Sequence, residues 1–300
     1  MSLKLLGTAA GGGFPQWNCA CALCNRSRSH PSELPPRQQL QAVISNGGTD
    51  RFLINASPDL RSQIEHEPAL QPSPQKGSRN TPIAGIVLTS ADLDQVLGLL
   101  LLREFQPLRV YATHLVRRVL ETDSFMQMLR RVPNQLTWID IVPDETFTLR
   151  ESIRCTPIPF HSSLPFYARN LNGDATQASI GLVLESGGSR MAYTPSLPEI
   201  NEALLAVYNS CDAILVDGTF WSDAELRQTH DGTPLARSIG HIPMSGDDGT
   251  ICLLKGVKRP KKVFIHINNT NPVLDPHSPE RKAVEDAGWE VAADGWQWTS

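Results

Sequence analysis

Ile83-Ala84-Gly85-Ile86-Val87-Leu88-Thr89-Ser90-Ala91-Asp92-Leu93-Asp94-Gln95-Val96-Leu97-Gly98-Leu99-Leu100-Leu101-Leu102 decides the class of this chain. The apolar run Ile86-Val87-Leu88 reads as a buried strand. Polar residues take over at Thr89 and Ser90. From Val96 the chain is apolar almost all round, the pattern of a helix buried between layers. Strand, polar turn and buried helix place the turn outside the carboxyl end of a strand, where α/β proteins gather their chemistry. Ser90, Asp92 or Asp94 could each serve only as the cap of the following helix. Two carboxylates where one cap suffices point instead to a cation, since hard cations take oxygen ligands.

The same turn is similar to the metallo-β-lactamase superfamily motif His-x-His-x-Asp-His, which follows a strand and opens a buried helix. Laid over this chain, the motif falls on Ser90, Asp92, Asp94 and Gln95. Only the aspartate is kept. Ser90 and Gln95 are poor substitutes for imidazole, whereas Asp92 can still bind a metal.

Outward from this turn, 300 residues with 40% hydrophobic and 19% charged composition describe an ordinary globular protein. A formal net charge of −4 gives no electrostatic reason to expect nucleic acid or an anionic membrane as partner. No apolar run approaches the roughly 20 residues of a membrane span, and no signal peptide is evident at Met1-Ser2-Leu3-Lys4-Leu5-Leu6-Gly7. A reducing cytoplasm is therefore the expected location. Of six cysteines, Cys155, Cys211 and Cys252 stand singly and read as small core residues. Cys19, Cys21 and Cys24 form a C-x-C-x-x-C cluster, which in a reducing compartment suggests a tetrahedral Zn²⁺ with one further ligand from elsewhere. Such a closed, sulfur-rich site is structural.

In chain order, a short strand at Leu3–Leu6 runs into Gly7-Thr8-Ala9-Ala10-Gly11-Gly12-Gly13. The glycines read as a tight turn, or as a loop whose N–H groups approach an anion. The Lys-Ser/Thr ending of a nucleotide-binding P-loop is missing. Ala42–Ser45 and Arg51–Asn55 flank Asn46-Gly47-Gly48, a hairpin signal. Ser57 and Pro58 read as the cap and first residue of a helix. Further strands are expected at Arg109–Ala112, Ile153–Phe160, Ser179–Leu184, Arg190–Thr194, Ala213–Asp217 and Val263–Ile267. A helix is expected from His114 to Arg131, with Arg117, Arg118, Arg130 and Arg131 solvated; His66 and His114 are expected at the surface. Ser278 and Pro279 open a final helix. His161, Asp217 and His266 each stand at a strand end, and His241 follows a glycine. One such histidine is more often a plain hydrogen-bonding residue than a ligand. Several acids and histidines at strand ends together suggest one crevice, because parallel strands collect their carboxyl ends there. The chain shows neither an internal repeat nor an interdomain linker, so residues 1–300 are read as a single domain carrying the cysteine loop 19–24.

Taken together, Gly7–Cys19, Asn55-Ala56-Ser57-Pro58-Asp59-Leu60-Arg61, Ser90–Gln95, Val216-Asp217-Gly218-Thr219-Phe220, Gly240-His241-Ile242-Pro243-Met244 and His266-Ile267-Asn268-Asn269-Thr270-Asn271-Pro272 resemble the B-protein family of pyrroloquinoline quinone (PQQ) synthesis, a distant branch of the metallo-β-lactamase superfamily. The resemblance implies an α/β fold of αββα sandwich type, a structural zinc on Cys19, Cys21 and Cys24, and a homodimer. Relatives with this cysteine motif bring a late histidine to the catalytic site and a residue three positions on to the structural zinc, here His266 and Asn269. His161 falls at the superfamily's third-motif histidine. The bridging aspartate of two-zinc members has no counterpart near Tyr193-Thr194-Pro195, which argues against a two-zinc hydrolase.

Two functional expectations follow. In the first, Asp92, Asp94 and His266 hold a second divalent metal, Fe²⁺ or Mn²⁺ ahead of Mg²⁺, Cu²⁺ or Zn²⁺. The metal would serve oxygen chemistry on a tyrosine-derived PQQ precursor, with His241 and His161 moving protons. In the second, the chain is a carrier for PQQ or its precursor, working beside other proteins of the pathway, with Gly12, Gly13, Arg61 and Asp217 receiving the ligand and its anionic groups.

Overall fold

The computed structural model describes residues 1–104, 106–122, 127, 129, 135–150, 153–229 and 232–299. It forms two compact units, each assembled from separated pieces of chain. Unit 1 comprises 1–7, 40–188 and 295–300, and unit 2 comprises 8–39 and 189–294.

Unit 1 is built on a mixed sheet of β1 (Ser2–Gly7), β2 (Gln41–Ser45), β3 (Arg51–Ile54), β4 (Ile83–Val87), β5 (Leu108–Thr113), β6 (Leu136–Ile141) and β14 (Gln297–Thr299). Its order is β14-β1-β2-β3-β4-β5-β6. The β14–β1–β2–β3 half is antiparallel and the β3–β4–β5–β6 half parallel. The expected hairpin is therefore present as β2–β3, with Val43 opposite Leu53. A second, antiparallel ladder joins β7 (Phe147–Leu149), β8 (Ile153–Phe160) and β9 (Ser179–Ser186). The helices are α2 (Leu60–His66), α3 (Leu93–Val96) and α4 (His114–Thr122). Leu53, Ile86, Leu88, Val96, Leu99, Val110, Val116 and Val119 form its core.

Unit 2 carries α1 (Ala22–Ser29) and an all-parallel ladder of β10 (Ser189–Thr194), β11 (Ala213–Asp217), β12 (Lys261–Ile265) and β13 (Trp289–Val291). Helices α5 (Glu202–Ser210), α6 (Thr250–Leu253) and α7 (Pro279–Asp286) complete it. β11 is buried at all five positions, as a strand covered on both faces must be. Ser278 caps α7, its Oγ accepting from the Arg281 N–H at 3.0 Å, with Pro279 at the first position as expected.

Four expectations are corrected. The apolar stretch after Asp94 is one α-turn, α3, continued as a 3-10 segment over Leu97–Leu102. Leu97 and Leu101 are 36% and 40% exposed, so the stretch is not buried all round. Gly98 explains the tight entry: its N–H donates to the Ala56 carbonyl at 2.8 Å, and a β-carbon there would lie 2.3 Å from the Ser57 carbonyl oxygen. α2 begins at Leu60, with Asp59 and not Ser57 directly before it; the Ser57 hydroxyl accepts the Asp59 N–H at 3.1 Å in a turn ahead of the helix. Cys252 is exposed on α6, unlike the buried Cys155 and Cys211. α4 spans His114–Thr122; Arg130 and Arg131 lie outside the described residues. His66 and His114 are exposed, as expected.

Candidate functional site

In unit 1, Thr89 and Ser90 follow β4, and the motif positions are bound into one hydrogen-bonded knot. Asn55 sits in a left-handed conformation (φ 70°), and its Oδ1 accepts the Thr89 N–H at 2.8 Å. The Thr89 hydroxyl reaches Gln95 Oε1 at 2.6 Å, and the Ser90 hydroxyl reaches Asp92 Oδ2 at 2.6 Å and Gln95 Oε1 at 3.1 Å. Asp92 is the residue before α3, yet no side chain caps that helix, which removes capping as the reason for the two carboxylates. Gln95 is 2% exposed, its carbonyl occupied by two hydroxyls where the superfamily has an imidazole. Gln95→Leu should therefore take from the Thr89 hydroxyl its nearest acceptor, leaving it the longer bond to Asn55 Oδ1 at 3.1 Å, and cost about 1 kcal/mol, read as a lower urea midpoint.

Unit 2 holds the two groups of three ligating side chains that stand out among the described residues: Cys19, Cys21, Cys24 and Asp217, His241, His266, the ligand atoms of each within 4.8 Å of one another. The parallel register explains part of the second. Asp217 ends β11 opposite Ile265 of β12, so His266, one residue on, arrives beside it. A β-carbon on Gly218 would meet Phe264 Cβ at 2.9 Å, and its absence lets the two strand ends close up. His266 takes φ 60°, a conformation that costs a non-glycine residue energy. The backbone on either side is held: Gly218 N–H to Ile265 O, Ile267 N–H to Thr8 O and Ala10 N–H to Ile267 O.

Asp217 is fully buried. Its Oδ1 accepts the Thr219 N–H at 3.0 Å and the Thr219 hydroxyl at 2.5 Å; its Oδ2 accepts the Leu197 N–H at 3.1 Å and His241 Nδ1 at 2.7 Å. With its hydroxyl proton given to Asp217, Thr219 Oγ1 accepts from His266 Nδ1 at 2.8 Å. Both imidazoles thus carry their proton on Nδ1, which leaves Nε2 of each as the basic atom. A histidine fixed through its other nitrogen by a carboxylate or hydroxyl is the usual form of a metal-binding or proton-moving imidazole. The two rings stack with centroids 5.6 Å apart. Asp217, expected to receive ligand, is instead the buried anchor of His241.

The cysteine cluster is as compact. Cys21 Sγ accepts the Cys24 N–H at the start of α1, and Cys19 Sγ accepts the Cys21 N–H, both at 3.5 Å. Asn269 Nδ2 donates to Cys24 Sγ at 3.4 Å, which brings its carboxamide beside the three sulfurs. Burial raises the Cys19 thiol, but hydrogen bonds from Cys21, Cys24 and Asn269 outweigh it and bring its pKa below the ordinary value. Burial pushes Cys21 up to about 11. Three sulfurs this close together fit a Zn²⁺, whose charge would stabilise all three thiolates.

The other expected residues are not members of these two groups. Gly12 and Gly13 form a turn whose N–H groups are already used, Gly12 on Gln39 Oε1 at 3.1 Å and Gly13 on Ala10 O at 3.1 Å, so the anion-loop reading gives way to the tight turn. Arg61 is exposed on α2. His161 is exposed after β8, which runs antiparallel to β7 and β9, so the argument from parallel strand ends does not apply to it. Asp92 and Asp94, half-buried, belong to unit 1 and His266 to unit 2. Sequence reasoning passed over Thr219 and Glu225. For Thr219 the signal was present, since Asp217-Gly218-Thr219 after an apolar strand is an Asx-turn pattern.

Glu225 is 2% exposed, accepting the Thr270 hydroxyl and the Trp221 N–H, each at 2.5 Å. Burial pushes its carboxyl up to about 7 against the pull of those bonds. The folded chain thus holds this proton more tightly than the unfolded chain, where the carboxyl titrates near 4.5. The contribution is complete below that value and is lost as pH rises to about 7. Glu225→Gln should flatten this slope, worth up to about 3 kcal/mol, in denaturation midpoints followed against pH.

A model of the beta-lactamase superfamily domain matches residues 50–267. The coenzyme PQQ synthesis protein B of Methylobacterium radiotolerans is 39% identical over 300 residues, with 98% of each chain covered. The chain belongs to the coenzyme PQQ synthesis protein B family. Its counterpart in Nitrosococcus oceani is 40% identical over 307 residues, again with 98% of each covered. A crystal structure of zinc-bound PqqB from Methylobacterium extorquens aligns with a TM-score of 0.93 at 36% identity over 100% of both chains. A diphosphatase of the PhnP family, at a TM-score of 0.66 and 20% identity over 99% of this chain and 96% of that one, shares the fold. The metallo-β-lactamase fold of the α/β class, expected from the Ile83–Leu102 stretch and the family motifs, is thus the fold of this PqqB-family chain.

Proposed function

We propose that this chain serves PQQ synthesis as a metal-dependent oxygenase acting on a tyrosine-derived precursor. The observation that carries the reading is the pair His241 and His266, each with Nδ1–H held by the Asp217–Thr219 network and Nε2 basic. Nitrogen and oxygen donors without thiolate suit Fe²⁺ or Mn²⁺, and also accept Zn²⁺, Cu²⁺ or Mg²⁺. Such a metal would supply activation of O₂. His266 is the imidazole ligand, and Asp92 and Asp94 are proposed as oxygen ligands on the motif alone. His241 takes a proton at Nε2, and the resulting imidazolium is stabilised by the buried Asp217 carboxylate, 2.7 Å from Nδ1. His161 is retained as an exposed proton carrier, and Arg61 as a ligand contact, on the sequence argument only. Cys19, Cys21, Cys24 and Asn269 hold a structural zinc.

The family model runs through both units, which supports reading residues 1–300 as one domain. No described helix is long and apolar enough to cross a membrane. A homodimer in the cytoplasm, working beside other proteins of the pathway, belongs to the same proposal on the family resemblance.

The test is anaerobic reconstitution with Fe²⁺, followed by O₂ and a tyrosine-containing peptide, with the hydroxylated product followed by mass. Joint Asp92→Ala/Asp94→Ala substitution should weaken Mn²⁺ binding to zinc-replete protein in a calorimetric titration; unchanged binding removes both residues from the site. A carrier of PQQ or its precursor is the second reading, favoured by the knot that closes the motif turn through Gln95. Tight binding of the quinone by protein that yields no product and needs no second metal would decide for it.

A further inference from the structure

Unit 1 contains a cleft of about 460 Å³ lined by Leu115, Ser163, Leu164, Arg169, Leu171 and Ala175, among others. That is within the range of small-molecule sites. Leu115, Leu164 and Leu171 give it apolar walls, Ser162 and Ser163 polar ones, and one charged group, Arg169, stands on them. The Arg169 guanidinium lies 5.3 Å from the centroid of the Phe166 ring, a ring that is 84% exposed. Among the described residues no carboxylate pairs with Arg169. A second cation, Arg118, donates to the Asn172 carbonyl at 3.2 Å, next to Gly173 on the cleft wall. Asp174, between the wall residues Gly173 and Ala175, has its Oδ1 engaged by the N–H and hydroxyl of Thr176 at 3.0 and 2.7 Å.

The same segment is fastened to the motif turn. The Tyr167 hydroxyl donates to the Ala91 carbonyl at 2.5 Å, Ile180 N–H donates to Thr89 O at 2.9 Å, and Ser90 bridges Ser179. A ligand seated against Phe166 and Arg169 is therefore held by a segment tied directly to the residues flanking Asp92.

We infer that this cleft binds the carboxylate-bearing end of a flat aromatic ligand, with Arg169 pairing the carboxylate and the exposed Phe166 ring, next to Arg169 and outside the cleft lining, receiving the ligand's ring. A planar guanidinium takes a carboxylate in two parallel hydrogen bonds, a solvent-facing ring offers a surface for stacking, and the leucines of the cleft take apolar edges of the ligand. Arg169 and Phe166 are thus specificity-determining residues beside the motif turn of the proposed oxygenase. The inference rests on that reading for its biological meaning, though not for its test.

The test is binding without turnover, under argon and without added metal, by calorimetry with three probes: 4-hydroxyphenylacetate, its neutral amide, and cyclohexylacetate. The acid should bind at least about tenfold more tightly than the amide, as a charge-assisted pair requires. It should also bind more tightly than cyclohexylacetate. Arg169→Gln should bring the acid down to the affinity of the amide without changing the amide, and Arg169→Lys should recover part of the loss. Phe166→Leu should remove the preference for the aromatic ring. Both side chains are exposed, so melting temperatures should hold. If a variant melts early, photocrosslinking of an azido-substituted phenylacetate to the parent must label residues 162–178. Equal affinity for acid and amide, no binding at millimolar probe, an unaffected Arg169→Gln, or labelling elsewhere overturns the inference. Because no step uses O₂, failure of the hydroxylation assay leaves the cleft standing. Hydroxylation by Arg169→Gln with unchanged KM removes the cleft and leaves the oxygenase reading in place.

Discussion

Cys24→Ser should purify without the structural zinc and melt well below the parent. Cys24 is fully buried on α1, and its sulfur accepts from Asn269 Nδ2 at 3.4 Å, so the change removes the most buried sulfur of the cluster. The hydroxyl left behind is a poor zinc ligand, and Cys19 and Cys21 alone make an open, weak site. Structural zinc in small peptides contributes roughly 10–16 kcal/mol of apparent binding energy, all of it coupled to folding. Even a fraction of that, several kcal/mol, lowers Tm by roughly 10 °C or more in a chain of this size. Elemental analysis and calorimetry check it together. One zinc per chain with an unshifted melt would show that the cluster does not hold the fold.

His266→Asn should abolish oxygenase turnover and second-site metal uptake while leaving the cysteine-bound zinc and the melting temperature close to the parent's. Asparagine tolerates the left-handed backbone at this position, so the change removes the imidazole without adding strain at φ 60°. Loss of a supporting partner typically costs about 10–100-fold in metal affinity. Loss of the ligand itself should exceed that. Thr219→Val supplies the comparison, since it removes only the hydroxyl that holds His266 Nδ1 at 2.8 Å. If both variants bind metal as the parent does, His266 is not a ligand.

How much of this was legible beforehand depends on the range of the interaction. The strands at Ile86–Leu88, Ala213–Val216 and Val263–Ile265 announce themselves through local apolar runs, and the α7 cap through Ser278 and Pro279. Cys19, Cys21 and Cys24 sit within six residues, so their chemistry is visible in spacing alone. The partnership of Asp217 with His241 spans 24 residues and depends on where the turn after Gly240 delivers the ring. Each residue could be singled out, but not their roles, because a buried anchor and a ligand contact have the same letter. Glu225 was invisible for a related reason. It sits between Ala224 and Leu226 with Asp223 nearby, a stretch that reads as solvated, and only the fold covers it.

The pairing of β1 with β14 sets a condition on biosynthesis. Ser2 lies opposite Thr299, and Leu5 exchanges backbone hydrogen bonds with Gly295 and Trp296. At about 5–20 residues per second, a ribosome needs about 15–60 s to travel between those partners. Throughout that interval the first strand has an open edge, a surface that templates pairing with other chains. Unit 2 waits in the same way, since residues 8–39 are made long before 189–294. Neither unit can be finished before its late pieces are made. The yield of native protein should therefore depend on what shields β1 until β14 emerges, and a circular permutant that makes β14 and β1 consecutively should aggregate less during expression.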